Sequence, residues 1–226
     1  MKTQLRVAVA EFIGTFALCF IGAGAVCTNA WTQGALGLVG IAVAHGTVLA
    51  VMISALGRIS GGHFNPAVTI SILWVNKIEL SKAILYVVAQ LLGAVAAAGL
   101  LRMIIPASVW QAVHLGTPSL GLGIAAGQAL LLEGVLTAFL VLAVFGTAVD
   151  PSGSWNAVAG FGIGTVLVFD ILVGGPLTGA AMNPARAFGP ALVSWSWDNH
   201  LVYWLGPVLG GIAAASLYTS AFLKPR

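Results

Sequence analysis

One short phrase occurs twice in this 226-residue chain: Ser60–Val68 reads SGGHFNPAV and Thr178–Arg186 reads TGAAMNPAR. Both copies run Ser or Thr, Gly, three residues, then Asn-Pro-Ala. Asn is a strong helix N-cap, and Pro at the first helical position loses only an N–H that would have had no intrahelical partner. Each copy therefore predicts a loop that feeds a helix with a fixed starting residue. The apolar run after each is short. A helix over Pro66–Val75 reaches about half of a roughly 30 Å hydrocarbon core. Two such half-helices, entering from opposite faces and meeting at their N-termini, would complete one crossing.

Composition says that a membrane is the right solvent. Hydrophobic residues make up 59% of the chain and charged residues 7%, against about a quarter charged in soluble domains, and the mean hydropathy is +1.03. The net charge of +3 is too small and too scattered for nucleic-acid binding. Two cysteines, Cys19 and Cys27, do not make a disulfide framework. No metal-ligand spacing, phosphate loop or nucleophile–base arrangement is present, so neither cofactor nor enzymatic chemistry is expected.

The spans read in order. Val7–Thr28, Leu36–Leu56 and Ala83–Ile105 are each long enough to cross, with the first half-helix after the second span. Residues 107–123, with Pro118 and three glycines, read as a long loop. The second half then repeats the first. Glu133-x-x-x-Thr137 matches Glu11-x-x-x-Thr15, the Asn-Pro-Ala phrase recurs, and Tyr203–Ala215 aligns with Tyr86–Ala98 without a gap. With three spans per half, the second copy enters the membrane inverted, which places the working site near the midplane between repeats. The expected architecture is an all-α membrane protein of six transmembrane helices plus two re-entrant half-helices. It forms a single domain over 1–226, with repeats at about 1–106 and 124–226 joined by 107–123.

Orientation follows from the basic residues. Lys2, Arg6, Arg58, Lys77, Lys82, Lys224 and Arg226 fall on one side of this arrangement and Arg102 on the other, which puts both termini in the cytoplasm. Trp31, Trp110, Trp155, Trp195 and Trp197 fall in or near loops, as interfacial anchors would. The expected location is the plasma membrane.

Irregular backbone at membrane depth needs protein cover or a watery lumen, so the twin loops argue for a lumen. Asn65 and Asn183 can each cap a helix through the side-chain oxygen and leave the NH₂ group free as a donor. Two half-helix N-termini add about half a positive charge each. A passing water held by both amides must turn its hydrogens along the file, so it cannot relay a proton. Arg186 lies in the first turn of the second half-helix, where a cation opposes the dipole, and reads as a pore-lining donor that narrows the lumen and repels cations. Val68 holds the matching place in the first copy. Glu11 and Glu133 are expected to hold the two loops by accepting backbone N–H groups. Inverted repeats also build secondary transporters; that reading would need a coupling carboxylate in the lumen, for which Glu11, Glu133 and Asp170 are the candidates.

With Asn65-Pro66-Ala67, Asn183-Pro184-Ala185 and the duplicated halves, the chain resembles the aquaporin (major intrinsic protein) family over essentially its whole length. That resemblance implies a homotetramer with one pore per protomer, conducting water across the lipid bilayer. It implies an outer constriction of His45, Ile171, Ala180 and Arg186. This set departs from the Phe, His, Cys and Arg of many water-selective members and is similar to that of plant tonoplast intrinsic proteins. Ammonia, urea and hydrogen peroxide thereby become candidate permeants. Glycerol-conducting members usually carry Asp where this chain has Ala187. His63 resembles the pore histidine of the cytoplasmic side, and Gly62 belongs to its loop. Tonoplast relatives have Asn where this chain has Asp170, whose expected role is to cap a Gly174–Gly179 loop. His114 and His200 read as loop or interface residues.

Overall fold

A computed structural model describes residues 2–151 and 155–223. Lys224 and Arg226 lie outside the described residues, as do the side chains of Lys2 and Trp155. Every regular element among the described residues is helical: α1 (Lys2–Trp31), α2 (Gly37–Ser60), α3 (Pro66–Trp74), α4 (Leu80–Ile104), α5 (Ala107–Ala112), α6 (Ala126–Val144), α7 (Trp155–Thr178), α8 (Pro184–Ser194) and α9 (Val202–Ala221). A π-helical turn, Phe145–Val149, extends α6. α1, α2, α4, α6 with its extension, α7 and α9 are long and apolar enough to span a membrane. With nine residues in α3 and eleven in α8, these two together cover about one bilayer core.

The molecule is inside out relative to a soluble domain. Glu11, His45, Asn65, Gln90, Glu133, Asp170, Asn183 and Arg186 are all buried, while Val39, Val51, Met103, Leu131, Phe161 and Leu205 are exposed. Large apolar groups on the outside suit a lipid solvent, whose tails offer them no worse surroundings than the interior. Because lipid gives no hydrophobic drive between helices, close backbone approach must hold them. At the crossing of α2 and α7, Gly46 and Gly164 each lie so near the other's carbonyl that neither could carry a Cβ.

Packing repeats between the halves. α1 lies on α4 as α6 lies on α9, and α1 on α2 as α6 on α7. The half-helices cross over: α3 docks on α9 and α8 on α4. Each half therefore supplies the wall against which the other's short helix rests.

Three expectations are corrected. The segment 107–123 is not all loop, because Ala107–Ala112 is helical and His114–Gly116 a 3-10 turn with Leu115 in the left-handed region. Trp110 sits on that short helix with the Arg102 guanidinium 5.0 Å from its ring centre. The Gly174–Gly179 loop is shorter than expected, since α7 runs to Thr178 despite Pro176 within it. Asp170 accordingly caps nothing; both its carboxylate oxygens are buried without a partner.

Candidate functional site: a lumen through the helix bundle

Both re-entrant loops have the same backbone design. Asn65 and Asn183 are extended, at φ −156° and −149°, and their Oδ1 atoms accept from the first turn of the following helix: Ala67 N at 2.8 Å in one copy, Ala185 N at 3.0 Å and Arg186 N at 3.3 Å in the other. The residue before each Asn is left-handed without being glycine, Phe64 at φ 48° and Met182 at φ 51°. Such conformations cost about 1–3 kcal/mol each and persist only where neighbours enforce them. The enforcement is visible. Glu11 accepts from Ser60 Oγ (2.6 Å), His63 N (3.0 Å), Phe64 N (2.7 Å) and Gln90 Nε2 (2.7 Å). Glu133 accepts from Thr178 Oγ1 (2.7 Å), Ala181 N (2.9 Å) and Met182 N (2.8 Å). Tyr86 and Tyr203 donate to the carbonyls of Ser60 and Thr178. The aligned tyrosines were the sequence signal for this last pair. Gln90 had none, since its counterpart in the second repeat is Pro207.

The two loops are also tied to each other. Asn65 Nδ2 donates to Met182 O at 2.8 Å, and Asn183 Nδ2 donates to Phe64 O at 2.9 Å. The expectation of a wholly free NH₂ group is corrected by half: one N–H of each amide joins the loops and the other is left for the lumen. This exchange fixes α3 and α8 head to head, with both N-termini at one point.

Three cavities lie in series around that point. An outer vestibule of about 260 Å³ is lined partly by Thr117, Pro118 and Leu120. A narrow interior of about 20 Å³ holds Asn65, Asn183, Phe64, Val68, Gly62 and Ala180 among its walls. An inner vestibule of about 310 Å³ has Lys77 and Lys82 on its rim. His45, Ile171 and Arg186 line both the outer vestibule and the interior, and His63 and Val144 line both the interior and the inner vestibule. A single water needs about 10–15 Å³ of such space, so the interior admits molecules one at a time. Neither Glu11, Glu133 nor Asp170 lines any of the three, which removes the carboxylate that a coupled transporter would need in the lumen.

The polar groups at the two necks are held in set roles. Arg186 donates from one terminal nitrogen to Gly116 O at 2.8 Å, while its buried Nε has no protein partner. Gly116 lies in the 3-10 turn of the 107–123 segment, where no motif marks it. His45 Nδ1 is 2.8 Å from Ile41 O; a carbonyl only accepts, so Nδ1 carries the hydrogen and Nε2 is the acceptor of the neutral ring. Thr69 Oγ1 donates to Asn65 O at 3.0 Å, and so receives from His63 Nδ1 and Gln90 Nε2, both at 3.0 Å. The His63 ring stands edge-on to Tyr86 at 5.0 Å.

His114 is exposed on its turn. His200 is half-buried between α8 and α9, where Trp204 Nε1 donates to its Nε2 at 3.1 Å and Phe188 and Trp197 pack on its ring. Burial lowers its pKa.

The family model described as Major intrinsic protein matches residues 1–218. Among curated proteins, the chain is 44% identical to a "Probable aquaporin TIP-type" of Medicago truncatula over 97% of this chain and 88% of that protein. It is 43% identical to "Aquaporin TIP4-4" of Zea mays, over 97% and 87% respectively. The X-ray structure of the aquaglyceroporin from Plasmodium falciparum superposes with a TM-score of 0.81 at 26% identity, covering 96% of each chain. A family match over nearly the whole length, on a bundle whose two capped half-helices meet beside a narrow interior cavity, establishes that the chain belongs to the major intrinsic protein family, the aquaporins.

Proposed function

We infer that the lumen conducts water one molecule at a time, with ammonia as a second permeant, and excludes protons and ions. The protein is a passive water channel of the multi-pass membrane class and not an enzyme. The observation that carries this is the series of three cavities, the smallest of which has Asn65 and Asn183 in its wall. A water between the two amides accepts from both, which turns its hydrogens toward its neighbours in the file and breaks any proton relay. The two converging helix N-termini, each worth roughly half a positive charge, oppose cations at the same point. Arg186 adds a full charge at the outer neck, where its Nε–H remains for a permeant oxygen or nitrogen.

His45, Ile171, Ala180 and Arg186 form the selectivity filter. The two apolar members bind no water themselves, and the small Ala180 leaves room, which supports passage of ammonia and of hydrogen peroxide. The functional unit is one channel domain over 1–226 made of inverted repeats, assembled as a homotetramer with both termini cytoplasmic. The relatives named as TIP type lend no support to the plasma membrane expected from sequence. Purified protein in vesicles holding a pH-sensitive dye tests the permeant set. An inward ammonia gradient should alkalinise the lumen faster than in empty vesicles. Rates equal to those of empty vesicles would restrict the channel to water.

A further inference from the structure

We propose that Gly22, on α1, is a specificity-determining position of the filter, because its missing side chain forms the slot in which the His45 imidazole lies. This rests on the filter role proposed above for His45. Gly22 is buried, yet it lines neither the outer vestibule nor the interior, whereas His45 lines both. The ring therefore stands between α1 and the lumen. A Cβ built on Gly22 would collide with Nε2 of His45, lie 2.5 Å from its Cδ2 and 3.0 Å from its Cε1. The ring cannot yield backward into α1. Nor can it swing freely along its own helix, because Nδ1 is held at 2.8 Å by Ile41 O. The direction left is toward Arg186 and Ile171, which line the same two cavities, and so across the outer neck.

The second repeat makes the trade legible. In the register that pairs Glu11 with Glu133, Gly22 matches Val144; in the register that pairs Asn65 with Asn183, His45 matches Ile163. Val144 and Ile163 belong to one apolar core cluster and both line the interior, Val144 also the inner vestibule. One repeat thus fills the site with two middle-sized apolar groups, the other with a large polar ring and no side chain opposite. A ring with a hydrogen-bonding nitrogen can occupy the filter wall only where its helix neighbour gives up its Cβ. Gly22 is a positioning residue: it touches no permeant and acts through His45.

The test uses full-length protein in proteoliposomes, wild type beside three variants, Gly22→Ala, His45→Ala and the double substitution, each read for osmotic water permeability and urea uptake. Gly22→Ala should lower water permeability severalfold and leave urea uptake at the level of empty vesicles. His45→Ala should raise urea uptake, and the double variant should match His45→Ala in both, because the group displaced by the new methyl is gone. Gly22→Ala with wild-type water permeability, or a double variant as impaired as Gly22→Ala alone, overturns the proposal. If Gly22→Ala yields no folded protein, recovery of folded protein on adding His45→Ala supports the slot and failure to recover overturns it. Failure of the filter reading is distinct: His45→Ala alone would then leave urea uptake unchanged.

Discussion

Glu133→Gln is the substitution whose consequence can be worked furthest. The carboxylate accepts three hydrogen bonds, two of them from backbone N–H groups at Ala181 and Met182. An amide of the same shape keeps one acceptor oxygen. With that oxygen toward Thr178 and Ala181, the new NH₂ faces the Met182 N–H, donor against donor. One charge-assisted bond, worth about 1.5–3 kcal/mol, is lost, and a buried N–H is left unpaired at a further 1–3 kcal/mol. The total is about 2.5–6 kcal/mol. That is comparable to the strain stored in Ala180 and Met182, both left-handed at φ 45° and 51°, at about 1–3 kcal/mol each. The loop therefore relaxes, and because Met182 O is the acceptor for Asn65 Nδ2, the first asparagine loses its anchor too. Purified protein should melt roughly 10 °C lower, at the 2–4 °C per kcal/mol usual for a chain of this size, and water permeability per folded channel should fall. A melting temperature within about 2 °C of wild type, which is less than one hydrogen bond's worth, together with unchanged permeability, would refute the reasoning.

Three further outcomes are expected. Arg186→Ala combined with His45→Ala should admit urea and glycerol in a solute-uptake assay; unchanged uptake would count against the filter assignment. Asp170→Leu, which replaces two unpartnered buried oxygens by methyls of similar shape, should stabilise the fold by about 1–3 kcal/mol with water permeability unaltered; a lower melting temperature would mean that the carboxyl is partnered. His200 should make stability fall in acid. Its pKa in the folded protein lies below the ordinary value because the ring is half-buried, and protonation of Nε2 would destroy the bond from Trp204. The rings against it, Phe188, Trp197 and Trp204, carry no charge, and Asp198 lies two residues away on the same loop. The unfolded chain takes up the proton first, so stability is full above about pH 6.5 and declines below it. His200→Gln should flatten the melting-temperature profile between about pH 7 and 5, and an identical acid loss in that variant would assign the effect elsewhere.

Much of this was legible because a membrane restricts backbone so severely. Asn-Pro at a helix start is unambiguous, and its repetition in duplicated halves leaves few folds open. The reach of the spans was underestimated. α1 extends beyond Val7–Thr28 at both ends and α2 beyond Leu56 to Ser60, because hydropathy marks the lipid-contacting stretch while a helix continues until its backbone finds a cap. What the sequence could not disclose was the exchange of asparagine N–H bonds between loops, since carbonyl acceptors belong to every residue and leave no trace in side-chain identity. The same holds for Gly116, whose carbonyl holds Arg186 from a segment that read only as a loop. Asp170 was misread for a related reason. Polar residues near a Gly-rich stretch usually cap it, but here α7 continues past the expected break and carries the carboxyl into a packed interior.

The central claim is that paired amides at converging helix ends pass water while interrupting the proton wire. Water and proton flux measured together on the same proteoliposomes, under an osmotic step with an opposing pH gradient, test it most directly. The expected result is faster shrinkage than in empty vesicles, with weak temperature dependence and no added dissipation of the pH gradient. Shrinkage no faster than in empty vesicles, or proton flux that rises with the amount of channel reconstituted, would contradict it.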